Sequence, residues 1–245
     1  MSTLGLILLS TFVISLMSFI GVFTLSFNEK LMRRVVLGLV ALSAGALMGG
    51  AFLHLIPEAI EMTGNSVKGV LMYVLVGFVF FLFIEKVLHW RHCHKGHCDV
   101  HTFAHMSLFG DVVHNFIDGL IIAASFVANM GLGVVTTIAV ALHEIPQEIG
   151  DFGVLLHGGY KKRKALFLNF VTGLTAIVGG IVGYFLSQSV ESTLSFLLPF
   201  AAGGFIYIAA SDLIPEIRNT DSIRRGLLYF IVFVVGLLMM YFVSG

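Results

Sequence analysis

Two short stretches of the sequence concentrate side chains able to hold a metal ion. "LFGDVVHNFIDGLIIAASF" places Asp111, His114, Asn115 and Asp118 at i, i+3, i+4 and i+7. At about 100° per residue these positions fall on one helical stripe. "HEIPQEIGDF" (143–152) carries His143, Glu144, Gln147, Glu148 and Asp151 at i, i+1, i+4, i+5 and i+8, a somewhat wider face. Imidazole with carboxylate is a borderline ligand set that suits Zn, Fe, Mn, Co or Ni. Carboxylates also offset the charge of a cation stripped of water. The spacing excludes a zincin: HExxH needs a second histidine four residues after the first, and Gln147 stands there.

Both stretches lie in oily surroundings. Of 245 residues, 58% are hydrophobic and 11% charged, and mean hydropathy is +0.98. A soluble domain has about 25% charged residues. The chain therefore reads as an all-α integral membrane protein, one transmembrane domain over 1–245. The formal net charge is zero and gives no sign of a nucleic-acid partner. Cys93 and Cys98 are too few for a disulfide scaffold. The N-terminal apolar run has no basic region before it and is too long for a signal peptide, so a retained first span is expected.

A helix needs roughly 20 apolar residues to cross. Eight candidates are read near 4–26, 34–57, 68–89, 104–128, 131–157, 165–187, 193–214 and 224–243. The fourth and fifth are interrupted by polar residues. With eight spans, thirteen of the fourteen Lys and Arg fall on one face, Lys68 being the exception. That face is cytoplasmic by the positive-inside rule, which puts both termini outside. Dropping a weak span would destroy the partition. The expected location is the cell (inner) membrane, with lipid around the spans and homodimer formation left open.

"GALMGGAFLHLIPEAI" (45–60) is similar to "GGFIYIAASDLIPEI" (203–217), and the spans that follow open alike, "KGVLMY" and "RGLLYF". Span two runs outward and span seven inward, so spans one to three and six to eight are expected to form an inverted repeat around a polar hairpin of spans four and five. Such repeats recur in secondary transporters, with sites near the midplane. The link between spans four and five is only about "NMG", which lets the polar stripes meet. Each ionisable group at mid-membrane costs about 2.5 kcal/mol or more. One intramembrane His or Asn is often interhelical glue. This many groups on two facing stripes call for pairing, water or a cation. Pro146 removes a backbone bond and frees a carbonyl about a turn earlier, which membrane proteins tolerate where backbone lines a cavity. Residues 89–105, "HWRHCHKGHCDVHTFAH", form a His- and Cys-rich cytoplasmic connection suited to loose, exchangeable metal binding.

"HNFIDG" (114–119) and "HEIPQEIGDF" resemble the two signature motifs of the ZIP (Zrt/Irt-like protein) metal-transporter family. Eight spans, outward termini and a His-rich loop after span three fit the same resemblance. It implies a binuclear metal centre between spans four and five. His114, Asp118, His143 and Gln147 would form one position. Asn115 and Glu144, with Asp118 and Gln147 shared, would form the other. Gln147 departs from the His or Glu the family often has there, and Ala176 stands where some members carry a span-six Glu. Asp111, Glu148 and Asp151 are supporting or pathway candidates, and His54 and Asp212 mark entry and exit. The implied function is transport of divalent transition metals toward the cytoplasm, zinc first, with iron, manganese or cadmium as further cargo. Metal is then substrate, up to two ions per site, and no cofactor is expected. An intramembrane zinc hydrolase would need one metal and no repeat. A cation-diffusion exporter would have six spans and a soluble C-terminal domain, whereas here "YFVSG" follows a span directly.

Overall fold

The computed structural model describes residues 2–21, 29–62, 64, 66–92, 101–186, 190–218 and 222–244. Among these residues every regular element is helical. Seven stretches are long and apolar enough to cross a membrane: Thr3–Gly21, Val35–Met62, Val67–Val87, Thr102–Ala128, Lys162–Phe185, Ser192–Arg218 and Ile223–Phe242. Met130–His157 is an equally long helix of 28 residues. Its polar residues lower its hydropathy, and by sequence order it is span five of eight. The second span ends later than expected, at Met62 instead of residue 57, and the seventh runs to Arg218 instead of 214.

Burial sorts the helices as a lipid-facing protein requires. Spans three and eight turn Leu75, Val79, Phe83, Phe230 and Phe242 outward, while every ionisable residue in 143–151 is buried. In hydrocarbon the apolar side chains are cheap outside and the polar ones must face inward. Spans two, three, seven and eight pack together, chiefly two on eight and three on seven. Spans one, four, five and six form a second group, joined to the first mainly through span five on two and span four on seven.

The two "LIPE" stretches have matching local structure. Residues Gly50–Leu55 and Ile208–Leu213 are π-helical turns, each followed directly by Ile-Pro. Proline donates no N–H and crowds the preceding turn; here a π turn precedes it in both stretches, and such turns within helices are frequent at functional sites. Packing around the turns matches too. Gly45 lies against the main-chain carbonyl of Phe233, and Gly203 against that of Val74. A Cβ at either glycine would strike backbone, so spans two and eight, and seven and three, meet at glycine distance.

Pro146 leaves the Leu142 carbonyl without its usual donor, but it does not break the helix as expected. The helix runs continuously from Met130 to His157 with Pro146 inside it. The irregular backbone falls instead at the two π turns and at Leu174, between Lys162–Gly173 and Thr175–Phe185. Of the His-rich connection, residues 89–92 belong to the helix Val67–His92 and 102–105 to the helix Thr102–Ala128. Cys93, His94, His97 and Cys98 lie outside the described residues.

Candidate metal centre

Spans four and five are joined by one residue. Asn129 is extended, at φ −160° and ψ 136°, and its side-chain oxygen accepts from Gly131 N at 2.7 Å and Leu132 N at 3.2 Å. This caps the start of span five and reverses the chain at once. A hydrogen bond from Thr136 to Ser125, 3.0 Å, ties the two helices near the turn.

Deeper in, the polar stripes meet. His114, Asp118, His143 and Glu144 each place a ligand atom within 4.8 Å of all the others. Nε2 of His114 is 3.4 Å from Asp118 Oδ2 and 3.2 Å from Glu144 Oε1. Nε2 of His143 is 3.3 Å from the same Asp118 oxygen and 3.9 Å from the same Glu144 oxygen. The four residues are only 1–2% exposed. Both ring nitrogens of His114, and Oε1 of Glu144, have no hydrogen-bond partner of good geometry. Buried polar atoms without partners are costly, and two of these, His114 Nε2 and Glu144 Oε1, lie 3.2 Å apart within the cluster. Two imidazoles and two carboxylates at this spacing suit a divalent transition metal.

The other expected ligands are near but differently engaged. Asn115 is fully buried, and its amide donates to Asp111 Oδ1 at 2.8 Å and to the Asp111 main-chain oxygen at 3.2 Å. Its own Oδ1 is left without a partner. Gln147, 3% exposed, lies one helical turn beyond His143.

Among the supporting candidates, Glu148 accepts from Ser18 Oγ of span one at 2.6 Å and from the Asn169 amide of span six. Asp151 accepts from Ser107 Oγ at 3.0 Å. These carboxylates thus tie helices together on the side of the cluster toward the C-terminal end of span five. Ser18, Ser107 and Asn169 were not expected from the sequence. Ser107 stands one turn before Asp111 on the same stripe of span four, and that spacing was the available signal; Ser18 and Asn169 are single members of spans that carry several small polar residues. Ala176 is fully buried, and its main-chain carbonyl lies where a Cβ at Gly119 would be. Span six therefore meets span four there by backbone contact.

The repeat residues separate. The His54 ring centroid is 5.4 Å from that of His143, and His54 Nε2 is 3.8 Å from Glu58. A cavity of about 460 Å³ reaches Asp118 and His143 past His54, Glu58 and Glu61, toward the end of span two at Met62. Asp212 occupies the matching place in the second π turn, with a buried Oδ2 lacking a hydrogen-bond partner. Nearby, Tyr207 donates to Glu85. At the C-terminal ends of both helices His157 Nε2 meets Glu216 Oε2 at 2.8 Å, joining spans five and seven.

Known proteins give a consistent result. A family model described as ZIP zinc transporter matches residues 2–106 and 89–244. Zinc transporter zipt-7.1 of Caenorhabditis briggsae is 31% identical over 84% of this chain and 70% of its own length. Zinc transporter ZIP13 of Mus musculus is 30% identical over 84% of this chain and 69% of its own. Zinc transporter SLC39A7 of Canis lupus familiaris is 28% identical, with 89% and 65% covered. For zipt-7.2 of Caenorhabditis elegans the covered share of the relative falls to 57%, so the chain spans roughly two thirds of the length of these relatives. With the family model matching nearly end to end and the paired motifs facing each other across one hairpin, the chain belongs to the ZIP zinc transporter family, a family of membrane transporters.

Proposed function

We propose that this chain carries zinc across the membrane toward the cytoplasm through the centre between spans four and five. One observation carries this reading: His114, Asp118, His143 and Glu144 form one cluster, and two of them, Asp118 and His143, line a cavity that opens past His54, Glu58 and Glu61, on the side away from the basic connections. The four side chains replace the ion's water. Asp118 and Glu144 balance its charge, and the imidazoles supply the softer bonds zinc favours. Asn115 Oδ1 and Gln147 complete a second, weaker position, so two ions are held at most. A glutamine oxygen binds less tightly than a carboxylate or imidazole, which favours release and admits iron, manganese or cadmium at lower affinity.

The outer cavity supports loading from outside, His54 and Glu58 being the first groups an ion meets. Emptying requires the opposite face to open. The two helix groups give the natural division: spans one, four, five and six move as a body past spans two, three, seven and eight. The matching π turns and glycine contacts support an inverted repeat, which provides two such openings by symmetry. Both termini then face outward.

Zinc uptake into proteoliposomes tests the proposal. The chain should accumulate zinc, and His143→Ala combined with Asp118→Ala should reduce uptake to the level of empty vesicles. Uptake that survives the double substitution overturns the site assignment.

A further inference from the structure

A second concavity lies away from the metal centre, on the cytoplasmic side. It has a volume of about 390 Å³ and is lined by Ile214, Ile217, Arg218, Tyr229, Phe230 and Phe233, with Gly226 at its edge. It is formed where span seven ends, just after the second π turn, against the first turns of span eight. Gly226 contributes no side chain, and that leaves the gap open.

The walls and the rim differ in character. Tyr229 is buried, while Ile214, Ile217 and Phe233 pack partly against the main core, so the floor is preformed. Phe233 is further held because Gly45 presses on its main-chain carbonyl. Phe230 is 61% exposed and forms an outer wall. The single charged group of the lining is Arg218, and Arg224 and Arg225 open span eight immediately before Gly226. Among the described residues none of these three arginines has an ion pair, and the nearest acid in sequence on span seven, Glu216, is taken by His157 at 2.8 Å.

We infer that this groove is a binding site for an anionic glycerophospholipid of the cytoplasmic leaflet. The phosphate sits on the Arg218 guanidinium and an acyl chain lies along Ile214, Ile217, Tyr229 and Phe233. Three arguments support this occupant over a second protein. The basic connections place the rim at the depth of cytoplasmic headgroups. Guanidinium matches phosphate by paired, charge-assisted hydrogen bonds. Basic pockets between spans on that leaflet are where anionic headgroups collect. An apolar slot under a guanidinium also matches a lipid in both halves, headgroup and tail. This site does not depend on the transport reading, since it lies in the spans two, three, seven and eight group and shares no residue with the metal centre.

The test is native mass spectrometry of the full chain in detergent, titrated with phosphatidylglycerol or phosphatidylcholine. Phosphatidylglycerol should be retained at lower added concentration. Arg218→Gln should weaken its retention about five-fold, the factor for one basic group at an anionic surface, and leave phosphatidylcholine unchanged. Gly226→Leu, which fills the gap, should lower retention of both. Lys161→Gln, an exposed cation on another connection, should change neither. Equal retention of the two lipids, or an equal effect of Lys161→Gln, overturns the site as mere surface charge. Competition by glycerol phosphate as effective as by the lipid overturns the acyl-chain half. Dimers that Gly226→Leu converts to monomers would show that a second copy of the chain fills the groove.

Discussion

The Asn115 amide donates to Asp111 Oδ1 at 2.8 Å, one turn earlier on span four, and this leaves Asn115 Oδ1 as the only unengaged polar atom of that side chain. Asp111 therefore fixes which end of the amide is left free. Removing the acceptor lets the amide turn. Leaving a buried donor without its acceptor costs about 1–3 kcal/mol, so Asp111→Ala should raise the KM for zinc uptake by roughly five-fold or more. Asp111→Asn retains an acceptor oxygen and should recover most of the loss. Equal KM values for all three chains would remove this orienting role.

Metal binding should be visible as stability. A ligand at 100 times its Kd adds about 2.7 kcal/mol to a folded state. Purified protein should unfold at a higher temperature with zinc than with chelator. Glu144→Gln with His114→Ala should erase the difference while the chelated protein unfolds at a temperature close to that of the parent. A zinc-induced shift that persists in this variant would place the tight site elsewhere.

The Glu148 carboxylate depends on donors from two other helices. Asn169→Ala removes one donor from a fully buried acid. Such a loss costs about 1–3 kcal/mol and should lower the unfolding midpoint measurably. Thr136→Ala, which breaks a part-buried pair of hydroxyls, should cost less. A midpoint unchanged by Asn169→Ala would mean Glu148 finds another partner.

Glycines can be ranked by what surrounds them. Gly45→Val drives a side chain into the main-chain carbonyl of Phe233, whereas a Cβ at Gly38 meets nothing within 4 Å. Gly38→Ala should be neutral or stabilising by up to about 1 kcal/mol, and Gly45→Val should abolish folded protein in detergent size-exclusion runs. Similar yields of both variants would contradict the tight contact between spans two and eight.

Much of the centre was legible from spacing alone. His114 with Asp118, and His143 with Gln147, are each one turn apart, and periodicity needs no tertiary information to put such pairs on one face. The short link also told which faces would meet. What spacing could not show is which acceptor each amide chooses. Asn115 read as a ligand pure and simple, yet its donor half is spent on Asp111. Nor could the sequence say how a helix accommodates proline. Pro146, Pro57 and Pro215 look alike as letters, but the first sits inside a continuous helix and the other two follow π turns. The difference arises from neighbouring spans, which are absent from any local pattern. Ser18 and Asn169 were silent for the same reason: their significance is Glu148, more than 20 residues away in both cases.

The one-residue turn at Asn129 bears on how the protein enters the membrane. Span five carries four ionisable side chains within nine positions, each costing about 2.5 kcal/mol or more against lipid. Alone it would be a poor insertion substrate. Because a single residue separates it from span four, it cannot be delivered alone. The two helices must enter together as a hairpin, with each polar stripe already shielded by the other. The side chains that would hold the ion are thus also the reason the hairpin has to be born as a pair, and cargo chemistry sets the order of assembly.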